Sequence, residues 1–317
     1  MPVKVTMPRR PAARVADHTS CPQHGGGDII PPCSPTTFGS NGLPRARATD
    51  KAQCKGPIDI IVTGVRGVYI DGLLATREGE KCMHGGEIIP PCDPKIFVEG
   101  PSQGVVVGNP EAARKACIEA AKGRKSGSTR QSTGNCGLES SRQLINEHKA
   151  IDVDEEELLE QHTGIAKKYD PDTYYEWEEV FREGGSTAYT RQVLLGSMGI
   201  GSDKTPQYTK QSQLHQGSFG VPTIKKVSAP DLGGIVQGVA EGKGVITSHA
   251  AGKLWGTSQE GSHAILTTGA RYNAQGEVVS VFVNDTGTGE CAQELDADTY
   301  EKSLIPDKAN VTGKSIW

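Results

Sequence analysis

The sequence predicts two regions of different class, an all-β region at the N-terminus and an α+β region at the C-terminus. Three observations predict this division. In residues 1 to about 100 the apolar residues come in bursts too short for helices, each bounded by Gly or Pro turns: "DIIVTG", "GVYIDG", "GEIIPP" and "KIFVEG". From residue 109 onward, helical and strand patterns alternate instead. A repeat marks the first region alone: "HGGGDIIPPCSP" at 24–35 returns as "HGGEIIPPCDP" at 84–94 and not again. Two copies are too few for a solenoid and point to two related halves of one small domain. The expected boundaries are 1–105 for the β domain, 106–133 for a helix and linker, and 134–317 for the C-terminal domain.

Each later element has a local cause. "NPEAARKACIEAAKG" (109–123) is a helix with Asn109 as cap, Pro110 at the first position and Gly123 at the end. "RKSGSTRQSTG" reads as a flexible basic linker. "NCGLESSRQLINEHKA" and "DEEELLEQHTGIAKKY" read as helices, and "SAPDLGGIVQGVAEG" as a helix feeding the buried strand "GVITSH". "SHAILTTGARYNAQGEVVSVFVND" is a β-hairpin, and "DADTYEKSLI" a last short helix.

Composition narrows the function. Gly and Pro together make 59 of 317 residues, concentrated toward the turn-rich N-terminal part. Charge is uneven: residues 1–107 carry +2, residues 108–134 carry +4 and the remainder −10. A domain at −10 is poorly suited to a phosphate backbone, so no nucleic-acid partner is expected. No run approaches eighteen apolar residues, so no stable membrane insertion is expected. The N-terminal stretch lacks the apolar core of a signal peptide. Five of eight cysteines (Cys21, Cys33, Cys54, Cys82, Cys92) fall in the first hundred residues among His18, His24 and His84, a mixture that suggests a metal site over a disulfide framework.

Residues 8 to 100 resemble the PAAR-repeat proteins that tip the type VI secretion spike. "PAARVAD" carries the resemblance, and "NGLPRARATD" and "DGLLATREGE" are weaker echoes about thirty residues apart. The resemblance implies a small β cone sharpened by one structural Zn²⁺, seated on a trimeric spike protein. A hundred residues with few aromatics bury little apolar surface, and a tetrahedral zinc site stabilises such domains directly. Carried over by position, the ligands are His18, His24, Cys54 and His84. Cys21 and Cys82 also flank the two copies, which leaves Cys21, His24, Cys82 and His84 as an alternative set. Cys33 and Cys92, each after Pro-Pro, are expected to pack structurally.

The second region offers a thiol and a base. Cys136 opens a helical run behind Asn135, where the helix dipole lowers a thiol pKa. Whether His263 can meet Asp285 depends on the hairpin turn. Asn273 and Gly276 suit a type I turn with a G1 bulge, which pairs Asn273 with Glu277 and makes paired indices sum to 550. Asp285 then lies opposite Ile265, on the face of His263 and one diagonal step away. A plain four-residue loop pairing Tyr272 with Glu277 would separate them to opposite faces.

"CG" at a helix start, then "SHA", then "VND" in this order resembles the papain-like toxin domains that end bacterial polymorphic toxins, over about 134–315. The resemblance implies a cysteine peptidase with Cys136 as nucleophile, His263 as general base and acid, and Asp285 orienting the imidazole. It also implies a glutamine in the oxyanion hole; Gln131 is the candidate, with Asn135 as the alternative. The expectation is a type VI effector whose peptidase cleaves a protein in the recipient bacterium and is held in check by a cognate immunity protein. It is expected to be made in the cytoplasm, exported without a signal peptide, and active in the recipient's cytoplasm. Two other readings stay open: a glutamine deamidase or transglutaminase using the same triad, and a non-enzymatic structural tip. Of the remaining residues, His249 is expected at a strand-end surface, Cys291 as a free thiol, Trp255 as either a wall of the site or core packing, and His148, His162 and His215 as solvated.

Overall fold

The computed structural model describes residues 9–122, 124, 127–132, 134–169, 186, 188–201, 231–305 and 308–317. His215 lies outside them. The chain forms two compact units: 1–107 with 271–279, and 108–270 with 280–317. The first unit therefore includes the tip of the late hairpin, where the Tyr272 N–H donates to the Val105 carbonyl at 2.9 Å.

The first unit is built from antiparallel pairs of two or three residues each: 10–11 with 97–98, 18–19 with 27–28, 51–52 with 59–60, 69–70 with 73–74, and 63–65 with 102–104. Its organising element is a turn that occurs three times. Arg14–Asp17, Arg47–Asp50 and Arg77–Glu80 each close an i,i+3 ion pair, at 2.9, 3.0 and 3.3 Å. In each turn the last residue's N–H donates to the arginine carbonyl, and the residue between them (Ala16, Thr49, Gly79) has positive φ. The residues preceding the three arginines close a ring of backbone hydrogen bonds. Ala13 N–H donates to Thr76, Thr76 N–H to Ala46, and Ala46 N–H to Ala13, at 3.1, 3.4 and 3.0 Å. The unit is thus threefold in its turns, where the His-Gly-Gly repeat predicts two halves. Its core is correspondingly thin: Ala13, Ala46, Ala52, Ile29, Ile61, Ile88 and three thiols, Cys33, Cys82 and Cys92.

The second unit places helices against an antiparallel sheet. Among the described residues the helices are α1 (Pro110–Lys122), α2 (Cys136–Lys149), α3 (Glu155–Tyr169), α4 (Ala188–Ser197), α5 (Leu232–Ala240), α6 (Ala251–Trp255) and α7 (Ala297–Ser303). The strands β1 (Lys243–Ala250), β2 (Ser262–Tyr272), β3 (Val278–Asp285), β4 (Glu290–Asp296) and β5 (Asn310–Ser315) lie in the order β4-β3-β2-β1-β5. Leu138, Leu144 and Ile145 of α2, Leu158 and Leu159 of α3, and Leu194 and Leu195 of α4 pack on Ile246, Ala264 and Leu266 of the sheet. That packing fixes the start of α2 beside β2.

The hairpin turn has the predicted chemistry. Asn273 N–H donates to the Glu277 carbonyl at 2.9 Å, Gly276 N–H to the Asn273 carbonyl at 3.1 Å, and Gly276 has φ +79. Thr268 Oγ1 donates to the Phe282 carbonyl at 3.1 Å, which keeps the indices summing to 550.

Two expectations about the connecting segment change. Described residues of the predicted flexible linker are pinned at both ends: buried Arg124 pairs with Glu139 of α2, and the Ser132 N–H donates to Glu155 at 3.1 Å. Cys291 is joined to Cys117 in a disulfide that ties β4 to α1. No helix among the described residues is long and apolar enough to cross a membrane.

Candidate functional site

In the first unit, one ligand atom from each of Cys21, His24, Cys54 and His84 lies within 4.8 Å of the others. Two thiols and two imidazoles are the donor set of tetrahedral structural zinc, and the spacing fits one such ion. The neighbours suit metal-bound thiolates. The His24 N–H donates to Cys21 Sγ at 3.3 Å, and Cys54 receives the backbone N–H of Gly56 and Gly26. The Asp59 carboxylate accepts the His84 N–H at 3.1 Å and faces its Nδ1 at 3.7 Å, the kind of outer partner that orients a ligating histidine.

The repeated His-Gly-Gly has a packing reason. A Cβ on Gly26 would sit 2.0 Å from the Thr19 carbonyl oxygen, and one on Gly86 would sit 1.8 Å from that of Ser20. Both turns therefore press on the same stretch of backbone, 19–20, and only glycine permits the approach.

His18 is not in the group. Its side chain is 61% exposed and pairs with Asp28, while Cys21 takes the place predicted for it. The reason lies in the threefold turns. Cys21, Cys54 and His84 each follow their turn's arginine (Arg14, Arg47, Arg77) by seven residues. His18 corresponds instead to Lys51 and Lys81, which are outward positions. Counting from each arginine would have found Cys21. Cys82, the other alternative, lies in the apolar core, where burial pushes its thiol pKa well up. Cys33 and Cys92 are likewise core thiols, each pushed to about 12 chiefly by burial.

In the second unit the structure brings Cys136, His263 and Asp285 together. Cys136 is the first residue of α2, capped by Asn135, whose side chain accepts the Leu138 N–H at 3.0 Å. Its Sγ accepts the Ala264 N–H at 3.1 Å and is hydrogen-bonded to His263. His263 Nε2 meets Asp285 Oδ1 at 2.6 Å, which leaves Nδ1 for the sulfur. Asp285 Oδ1 also accepts the Gly287 N–H at 2.8 Å, and Oδ2 accepts the Trp255 indole N–H at 2.9 Å. Trp255 lies over the imidazole with ring centroids 4.6 Å apart, so it walls the site as well as holding the carboxylate.

The electrostatics follow from these contacts. Burial opposes a thiolate at Cys136. The hydrogen bond and charge of His263, the Ala264 N–H and the charge of Arg191 outweigh it and lower the thiol pKa. Burial also opposes a charged His263, yet its bonds to Asp285 and Cys136 raise it to about 9. Asp285 is held below the usual carboxylate range by His263 and Trp255, against its own burial. These shifts together favour a thiolate–imidazolium pair over a neutral one.

Gln131 is tied to the residue after Asp285. Its N–H donates to the Thr286 carbonyl at 2.8 Å, and its Oε1 accepts from Thr286 Oγ1 at 2.7 Å, so the amide nitrogen is the side chain's donor end. The Asn135 carbonyl oxygen is committed to the cap. His249 is buried and not on the surface as predicted: it sits across the β1–β2 ladder from His263, between Ser303 Oγ at 2.8 Å and Thr247 Oγ1 at 2.9 Å. Burial and the His263 charge lower its pKa to about 3, so it is neutral. His162 is buried too, on the α3 side that faces the core, and His148 is half-buried. The sequence reasoning missed Arg191, the fully buried cation of α4.

The PAAR motif family matches residues 22–90, a stretch that contains three of the four clustered metal-ligand candidates. No curated protein matches the chain at a significant level. The β-rich unit is thus a PAAR-bearing domain with a Cys/His group able to hold zinc, and a PAAR motif implies association with the type VI spike and export by that route.

Proposed function

We propose that the chain is a type VI secretion effector. Its PAAR domain rides on a trimeric spike protein, and its C-terminal unit is a papain-like cysteine peptidase that cleaves a protein of the recipient bacterium. The observation that carries the enzymatic half is the buried line Cys136–His263–Asp285, with its 2.6 Å histidine–carboxylate bond and a thiol pKa lowered against burial.

The chemistry follows from the charges. The Cys136 thiolate attacks the scissile carbonyl carbon, and the π pair moves onto oxygen. The oxyanion accepts from the Cys136 backbone N–H and from the Gln131 amide, whose carbonyl end is already taken by Thr286. The imidazolium gives its Nδ1 proton to the amine nitrogen, the C–N bond breaks, and a thioester remains. Water then adds while His263 takes its proton, and the thiolate leaves as the new carboxyl forms. Asp285 stays ionised throughout and fixes the imidazole.

The −10 charge of residues 135–317 favours protein over nucleic acid as substrate. A cell that makes an active peptidase needs a cognate immunity protein. The Cys117–Cys291 disulfide favours the recipient's periplasm over its cytoplasm as the place of action, because disulfides persist in oxidising compartments.

The test is to deliver the full chain and its Cys136→Ala variant to recipient cells and map new protein N-termini by mass spectrometry. Cys136-dependent N-termini are expected. A small mass change at glutamine without chain breaks would assign the same thioester chemistry to deamidation or transglutamination. Undiminished toxicity of Cys136→Ala would leave a non-enzymatic spike tip.

A further inference from the structure

The steps above make no use of Arg191. It is 2% exposed, and its guanidinium is held by neutral groups. Nε donates to Asn310 Oδ1 at 2.7 Å, Nη1 to the Ser186 carbonyl at 3.1 Å and its Oγ at 3.4 Å, and Nη2 to Ser248 Oγ at 3.1 Å and the Lys308 carbonyl at 3.3 Å. No carboxylate meets it among the described residues. A buried guanidinium with no counter-ion is strongly unfavourable, and a protein that keeps one needs a negative charge nearby.

The position supplies that charge. Gly137, the residue after Cys136, faces the arginine: a Cβ there would lie 3.0 Å from both Arg191 Cδ and Nη1. The same Cβ would lie 1.8 Å from Ser186 Oγ, so any other residue at 137 displaces Ser186, a tether of the arginine, and crowds the guanidinium. Its tethers come from Ser186 before α4, from Ser248 of β1, from Asn310 at the start of β5 and from Lys308 before it, and together they hold the guanidinium in place. The charged or titratable groups facing Cys136 are His263 from β2 and Arg191 from α4, with Asp285 behind His263 and neutral His249 across the ladder.

We propose that Arg191 is a positioning residue for the nucleophile, a fixed cation whose counter-charge among the described residues is the Cys136 thiolate. The inference rests on Cys136 being the nucleophile, not on which bond it cleaves. Its consequence falls where His263 is neutral. In the thioester, after the imidazolium has protonated the leaving amine, Arg191 is the one charged group still beside the sulfur among the described residues, together with the Ala264 N–H. His263 regains its proton when water adds, and both cations then face the departing thiolate. The thiolate so released restores the pair.

The experiment is the pH dependence of iodoacetamide alkylation at Cys136 in the full-length chain, followed by peptide mass spectrometry. Arg191→Gln is expected to move the acid limb upward by about one pH unit, a reaction about tenfold slower on that limb. Arg191→Met, of similar length and apolar, repeats the test if the Gln variant does not fold. Arg191→Lys keeps the charge and is expected to recover most of the rate. A folded neutral variant with the wild-type profile overturns the inference, as does a Lys variant shifted as far as Gln. A wild-type chain that alkylates at low pH yet cleaves no protein removes the peptidase reading and leaves this inference standing.

Discussion

The two units each gather cysteine and histidine in a partly buried cluster, yet the clusters suit different chemistry. In the PAAR unit two thiols and two imidazoles face one another. There the Cys54 pKa is raised, by burial first and also by Cys21, against the backbone N–H groups that lower it. In the second unit one thiol faces one imidazole, backed by a carboxylate and flanked by a guanidinium, and its pKa is lowered. The neighbours decide the role. Thiols among thiols wait for a cation to make them thiolates, whereas a thiol beside an imidazole and a guanidinium is biased toward the thiolate by the protein itself.

The largest expected effect is at Cys136, where alanine removes the proposed nucleophile and abolishes the cleavage seen with the wild type, read by mapping new protein N-termini. Asp285 comes next. An isosteric Asn loses on the order of 10⁴ in rate in triads that need the carboxylate. If Asp285 mainly holds the imidazole, Asp285→Asn retains measurable activity because it keeps a partner for Nε2, and Asp285→Ala falls further. Alkylation rates near pH 6 order the two variants, and equal losses would mean that charge matters more than orientation.

On the metal side, Cys21→Ser and Cys54→Ser should each abolish stoichiometric zinc in the purified protein, and His18→Ala should keep it. Zinc lost on removing His18 and kept on removing Cys21 would reverse the ligand assignment. A double Cys117→Ser/Cys291→Ser variant should lose about 2–4 kcal/mol, read from denaturant midpoints. A reducing agent should reproduce that loss in the wild type and add nothing to the variant.

The smallest effect is on pH. His263, raised to about 9, binds its proton more tightly folded than unfolded. Its contribution to stability is therefore full below about pH 6.5 and fades as pH rises toward 9. Denaturant midpoints of wild type and His263→Ala should converge across that window.

Much of this was legible where local chemistry decides. Asn273 and Gly276 specify the turn, the turn specifies the register, and the register brings His263 to Asp285. Cys136 was legible because a cap and a helix start are written in adjacent residues. What failed depended on partners far away in sequence. The basic stretch after α1 reads as a tether because nothing local reveals Glu139 waiting for Arg124. Cys291 reads as free because its partner is 174 residues away. Arg191 looks like any helix charge, since burial without a counter-ion leaves no trace in its own neighbourhood. β4, "ECAQELD", lacks apolar alternation and passes as loop. His18 misled for a different reason: it adjoins the motif, whereas the ligand position is counted from the repeated arginine.

That counting has a geometric consequence. A tetrahedron seen down one vertex has three like corners around an axis and a fourth corner of its own. The chain supplies three like positions, Cys21, Cys54 and His84, and a fourth, His24, from the first turn alone. A fold with three matching turns therefore has the right number of corners for a four-coordinate ion after a single extra residue. An octahedral ion would need the extra histidine to be matched by two more. Glu87 and Pro57 stand at those places, and proline offers no side-chain ligand, so the polyhedron closes at four.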